Sequence, residues 1–274
     1  MLYENKMAAR LRAGEQLSAC WIQMGSPVAA ELVAEAGFDM AVIDGEHAPI
    51  DPINMVSLLQ ALKGNDIMPM ARAPWNDFVA IKRLLDCGLQ GIHIPYVNTA
   101  AEVKDAVSAC KYPPIGIRGI AGSPRACGFG QNKGQYLQRA NDNIIVMCAI
   151  ETTVGVGNLE EMLEVEGLDG IFIGPMDLST NMGYYAQPRN PEVVKTIEEC
   201  AKKVVKAGKH LTLPKWQCVS SHTGRVSFAS CLNEAGAGLV EIATLMGHRE
   251  TSTTLRYICK SSVNLSPRAL QFFQ

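Results

Sequence analysis

Six short, almost continuously apolar runs recur along the first three-quarters of the chain, each separated from the next by a segment of helical period. They are residues 18–24, 39–43, 67–71, 91–97, 144–150 and 170–173. Strands that alternate polar with apolar residues leave one face to water; runs apolar at every position must be buried on both faces. With helices between them, such runs specify a parallel sheet covered by helices, because parallel neighbours need a crossover connection. The helices carry their own start signals. Ser26-Pro27 and Asp51-Pro52 each set an N-cap before a first-turn proline. Thr99 and Glu102 form a capping box, and Asn190-Pro191-Glu192 opens a helix that runs to Ala207 and stops at Gly208. A single helix is predicted over 153–165.

A closed barrel and an open doubly wound sheet both satisfy this pattern, and the polar residues favour the barrel. Glu46-His47, Arg72, Glu151 and Asp177 each follow the carboxyl end of a different strand. That rim is where a (β/α)8 barrel builds its site, whereas an open sheet concentrates ligands at one crevice. Glu151 directly follows one strand and Asp177 lies four residues after the next. Two carboxylates leaving adjacent parallel strands at the same end can converge on one hard divalent cation, with positions left for water or substrate. Helix-capping roles would place the same two residues equally well. Gly155-Val-Gly157 falls within a helical segment and is no phosphate fingerprint.

The 274 residues include 47% hydrophobic side chains, ample for one large core. Net charge is -2, which speaks against a nucleic-acid or membrane partner. Nine cysteines without a C-x-x-C pair, and no apolar leader or spanning run, point to a reduced cytoplasmic protein. The charge is uneven: residues 1–213 hold 19 Lys/Arg against 24 Asp/Glu, net -5, and residues 214–274 hold 6 against 3, net +3. Such a reversal divides the chain into two segments, 1–213 and 214–274.

The blocks AELVAEAGFDMAVIDGEHAPID, YPPIGIRGI, IET and VEGLDGIFIGPMDLSTNMGY resemble the HpcH/HpaI family of metal-dependent pyruvate aldolases, in colinear order over about residues 5–209. The resemblance implies a (β/α)8 barrel that reversibly splits 4-hydroxy-2-oxo acids into pyruvate and an aldehyde. It implies a magnesium, manganese or cobalt ion held by Glu151 and Asp177, with Arg72 binding pyruvate. The acid/base histidine falls on His47, its supporting aspartate on Asp86, and a tryptophan lining the aldehyde pocket on Trp21. It also implies a hexamer whose subunits exchange the last barrel helix. One departure stands out: the family commonly carries glutamine where this chain has Ala149, so a pocket hydrogen bond is missing. The residue types suit the chemistry. A cation stabilises charge developing on a 2-oxo group, and histidine titrates near neutrality.

After Gly208, His210-Leu-Thr-Leu213 offers the start of a seventh strand, and then the pattern breaks. SSHTGRVSFASCLNEAGAGLVEIATLMGHRETSTTLRYI resembles the carboxyl end of the tyrosine recombinase (phage integrase) catalytic domain, with His222, Arg225, His248 and Tyr257 on its motif. The remainder of that domain is absent, so strand cleavage is not expected and DNA is an improbable partner. The expectation is therefore an α/β chain: a TIM-type barrel truncated after about six strands, followed by a short all-α tail. Its function is that of a carbon–carbon lyase acting on a 2-oxo acid, impaired to the extent that the barrel fails to close. A DNA-rejoining activity through the tail, or a fusion product without function, is the alternative. Loss of the exchanged helix puts the hexamer in question and leaves a homo-oligomer.

Overall fold

A computed structural model describes residues 4–212. The short helix α1 (Lys6–Arg12) precedes seven strands, β1 (Ala19–Ile22), β2 (Met40–Asp44), β3 (Met68–Arg72), β4 (Gly91–Ile94), β5 (Ile145–Ile150), β6 (Gly170–Ile173) and β7 (His210–Thr212). All pair in parallel with their sequence neighbours, in the order β1 to β7. The crossovers contain α2 (Pro27–Glu35), α3 (Pro52–Ala61), α4 (Phe78–Asp86), α5 (Ala100–Cys110) and α6 (Lys133–Asn143). Beyond β5 come α7 (Thr153–Gly157), α8 (Leu159–Leu163), α9 (Pro175–Asn181) and α10 (Pro191–Lys206).

The sheet is curled. Between β1 and β6 there are five strand steps, roughly 24 Å if the sheet were flat. Yet Trp21 on β1 and Phe172 on β6 bring their ring centroids to 5.8 Å. Such a distance requires the strands to wrap round a common interior, the half-barrel of a TIM-type fold. The interior is layered. Met7, Ala8 and Leu11 of α1 close its amino-terminal end against Met40, Val42, Met68, Met70, Ile145 and Met147. Asn5 fixes that plug: it caps α1 through Ala8 N, and its amide donates to Gln90 O at 3.0 Å and Asn143 O at 2.8 Å. Methionine suits such a floor because its flexible thioether fills irregular gaps.

The predicted caps form. Ser26, Asp51 and Asn190 accept from first-turn amides, and the Thr99–Glu102 capping box is complete. Two expectations change. The helix predicted over 153–165 divides at Asn158, whose side chain donates to Asn98 O at 2.9 Å instead of continuing one helical face. The sheet also reaches a seventh strand, at the 210–213 run that the sequence offers, instead of stopping after about six. Its three residues pair with β6 through Gly170, Ile171 and Phe172. The helical tail assigned to 214–274, with His222, Arg225, His248 and Tyr257, lies outside the described residues. Among the described residues no helix is long and apolar enough to cross a membrane.

Candidate active site

The carboxyl rim of the sheet gathers the charged residues. β2 ends in Asp44, which is fully buried and organises its surroundings. Arg72, the last residue of β3 and the register partner of Asp44, donates to it from Nε at 2.9 Å and from Nη2 at 2.7 Å. Gln23 donates at 3.0 Å, and the backbone amides of Glu46 and His47 close onto the same carboxylate at 3.1 and 3.2 Å. Burial alone would raise the Asp44 pKa. The hydrogen bonds from Arg72 and Gln23 overcome that and hold it well below the usual carboxylate range. Glycine is required at 45, because a Cβ there would lie 2.7 Å from Arg72 O.

Arg72 therefore leaves its strand in one orientation. Its Nη1 sits 2.9 Å from Glu46 Oε2, and its Cζ lies 4.8 Å from the Trp21 ring centroid. Burial raises the Glu46 carboxyl, with the Arg72 charge opposing it. Arginine's planar fork is the geometry that suits recognition of a carboxylate. His47, next along the turn, is 60% exposed at its side chain, with Nε2 3.6 Å from Glu46 Oε2.

Glu151 follows β5 and is only 3% exposed. Its Oε2 accepts from Tyr96 N at 2.9 Å. Tyr96 adopts φ 55, a left-handed conformation uncommon for a side chain of that size, which aims its amide at the carboxylate. Gly174, just past β6, makes room: a Cβ there would come within 2.6 Å of Glu151 Cγ. Burial pushes the Glu151 carboxyl up to about 7, the Tyr96 amide opposes this, and the nearby charges of Glu46 and Asp177 reinforce it. Asp177 lies in the first turn of α9, exposed, directly after the strand that pairs with β5. Neither carboxylate caps a helix; Thr152 caps α7.

Among the described residues no group of three or more His, Cys, Asp or Glu side chains forms a metal-ligand cluster. The Glu151–Asp177 pair nevertheless suits a hard cation. Both donors are carboxylates, one is buried with a single hydrogen bond, and their like charges act on one another. Trp21 lies inside the barrel, edge-on to His93 and Phe172 at 5.8 Å each. Ala149 is fully buried on β5, two residues before Glu151. Asp86 is not brought to His47 within the chain. It ends α4 and accepts from Arg118 Nη2 at 2.7 Å, and that guanidinium also packs 4.5 Å from the Tyr112 ring centroid.

Sequence reading missed Asp44 and His93. Asp44 ends and His93 interrupts a strand that is buried at every position, and a polar residue in such an apolar run is the signal that could have found them.

Comparison with known proteins gives one consistent answer. Residues 17–230 match the family model described as HpcH/HpaI aldolase/citrate lyase, which continues past the described residues into the segment assigned above to a separate tail. A 4-hydroxy-2-oxo-heptane-1,7-dioate aldolase of Escherichia coli is 43% identical over 206 residues, 75% of this chain and 79% of that protein. A hydroxypyruvate/pyruvate aldolase of Sagittula stellata is 42% identical over 207 residues, 76% and 81% of the two chains. A crystal structure of a family protein from Burkholderia cenocepacia superposes with TM-score 0.75 at 30% identity, covering 92% of this chain and 99% of that one.

Proposed function

The chain belongs to the HpcH/HpaI aldolase/citrate lyase family, and on that premise we propose that it reversibly cleaves a 4-hydroxy-2-oxo acid to pyruvate and an aldehyde, with Glu151 and Asp177 holding a divalent cation. Membership makes it an enzyme of the aldolase class. The observation that carries the finer reading is Glu151: a buried carboxyl held near neutrality beside two further carboxylates, one strand pairing from Asp177. Magnesium, manganese or cobalt suits that oxygen donor set, and the cation, when bound, supplies Lewis-acid stabilisation of charge developing on the 2-oxo group.

The chain's own residues do the rest. Asp44 holds Arg72 in one orientation, so the guanidinium meets the substrate's oxo-acid head without first being ordered. The Arg72 charge is already in place where negative charge builds during carbon–carbon cleavage. His47 stands exposed at the rim, placed to take the proton of the 4-hydroxyl and to return it in the reverse direction. With Asp86 engaged by Arg118, we assign the orientation of His47 to Glu46, 3.6 Å away. Self-association belongs to the same reading, supported by exposed Ile115, Ile117, Ile120 and Phe129.

The test is release of pyruvate from a 4-hydroxy-2-oxo acid with added manganese, measured by coupled oxidation of reduced nicotinamide cofactor. Activity is expected to vanish with EDTA and in Glu151→Gln. Turnover that survives both would overturn the proposed cation site.

A further inference from the structure

The segment Tyr96-Val97-Asn98 follows β4 and bonds to the end of β5, Val97 N donating to Ala149 O at 3.1 Å. Its first residue donates its amide to Glu151 Oε2 at 2.9 Å, from a backbone at φ 55. That hydrogen bond occupies one oxygen of the carboxylate. The other, Oε1, lies against Gly174, the N-cap of α9, whose first turn carries Asp177. The orientation of Glu151, with Oε1 on the β6 side, therefore depends on Tyr96 keeping a conformation that a residue with a side chain disfavours by about tenfold. The Tyr96 ring gives little purchase, being exposed and stacked on Trp75, which is exposed as well.

Asn98, two residues on, supplies the hold. Its Nδ2 donates to Tyr96 O at 3.1 Å, and its Oδ1 accepts from Thr152 Oγ1. One orientation of the carboxamide satisfies both, donor towards the carbonyl and acceptor towards the hydroxyl. Thr152 directly follows Glu151, is buried, and caps α7 by accepting from Gly155 N at 3.0 Å. A single side chain thus ties the residue that donates to Glu151 to the residue that adjoins it. Asn98 is itself pinned at both backbone groups. Its N–H donates to Glu102 Oε2 at 2.7 Å, and its carbonyl accepts from Asn158 Nδ2 at 2.9 Å. A fully paired network of this kind is rigid, so the position of Asn98 is passed on to Tyr96.

We propose that Asn98 is a positioning residue for the cation site: by binding Tyr96 O and Thr152 Oγ1 it holds Tyr96 left-handed, so that the Tyr96 amide fixes Glu151 before a divalent cation arrives. The inference rests on the cation site given under the proposed function. Ordering a ligand group in advance lowers the cost of binding. Without Asn98, Tyr96 relaxes to an extended backbone, and cation affinity falls by the factor that the left-handed conformation costs, about tenfold.

Manganese binding to the full chain by calorimetry, and exchange of the residue 96 amide proton followed by NMR in EDTA, test it. Asn98→Ala is expected to weaken manganese binding about tenfold and to speed exchange at Tyr96 by about as much. Glycine enters the left-handed region without that cost, so Tyr96→Gly alone should leave manganese affinity near the wild-type value, and adding it to Asn98→Ala should recover most of the loss. General loosening of the loop would be worsened by glycine, not repaired. If Asn98→Ala does not fold, Asn158→Ala frees Asn98 O and gives the same comparison with a smaller drop. Where the wild type binds manganese, an unchanged affinity in Asn98→Ala, or a loss that glycine does not repair, overturns the proposal; unchanged exchange at Tyr96 overturns it in every case. A wild type that binds no manganese, with Tyr96 exchange still faster in Asn98→Ala, removes the cation site and leaves the hold on Glu151 standing. Tight manganese binding indifferent to Asn98 does the reverse.

Discussion

Replacing Glu151 by glutamine is expected to stabilise the metal-free protein while removing its response to metal. Glutamine has nearly the same shape, and its Oε1 can still accept the Tyr96 amide that Glu151 accepts at 2.9 Å. What disappears is an ionised group that is 3% exposed and faces the charges of Glu46 and Asp177. Its pKa rises from 4.5 to about 7 on folding. A raised folded-state pKa contributes stability that is fully present below about 4.5 and is lost as pH rises through about 7. At pH 8 the native chain therefore bears the full penalty of the ionised form, about 3 kcal/mol at 1.36 kcal/mol per pKa unit. The neutral amide does not bear it. For a chain of this size that corresponds to roughly 5–10 °C in melting temperature in EDTA at pH 8, shrinking towards zero near pH 5. Manganese should reverse the order, raising the melting temperature of the wild type and leaving the variant unmoved. Differential scanning calorimetry at pH 5 and pH 8, with EDTA and with manganese, measures all four states. A variant that melts below the wild type in EDTA at pH 8, or gains as much from manganese, would refute the reasoning.

Gly174→Ala should reach the same carboxylate sterically, since the backbone at 174 (φ -83) tolerates alanine but the added methyl falls within 2.6 Å of Glu151 Cγ; manganese affinity should drop, and the metal-free protein should lose about 1–3 kcal/mol from overpacking, read by calorimetry. Asp44→Asn removes the charge that binds Arg72 in two places and leaves a buried guanidinium short of its counter-ion, so about 3–5 kcal/mol of stability and a large part of oxo-acid affinity should be lost, read by urea denaturation and by KM. His47→Ala should lower kcat by about 10²–10⁴ with pyruvate binding little changed, because the exposed imidazole supports no packing; an unchanged kcat would remove His47 from proton transfer.

The order of strands and helices, the caps at Ser26, Asp51, Thr99 and Asn190, and the gathering of Glu46, Arg72, Glu151 and Asp177 at one rim were all legible in the sequence. These features depend on local rules. An apolar run, a cap and the parity of a strand residue are each set within a few positions, and a parallel βα order puts every strand's carboxyl end on the same side. The partners of individual side chains were not legible. Asp77 stands five residues from Arg72, yet it caps α4, and Arg72 turns to Asp44, 28 positions earlier. Asp86 accepts from Arg118, 32 positions later, and His93 meets Trp21 and Phe172 from distant strands. Those pairings follow from strand register and from the curl of the sheet. Both are settled only when the whole sheet curls round its core, since charge and ring contacts act over a few ångströms of space whatever the separation along the chain.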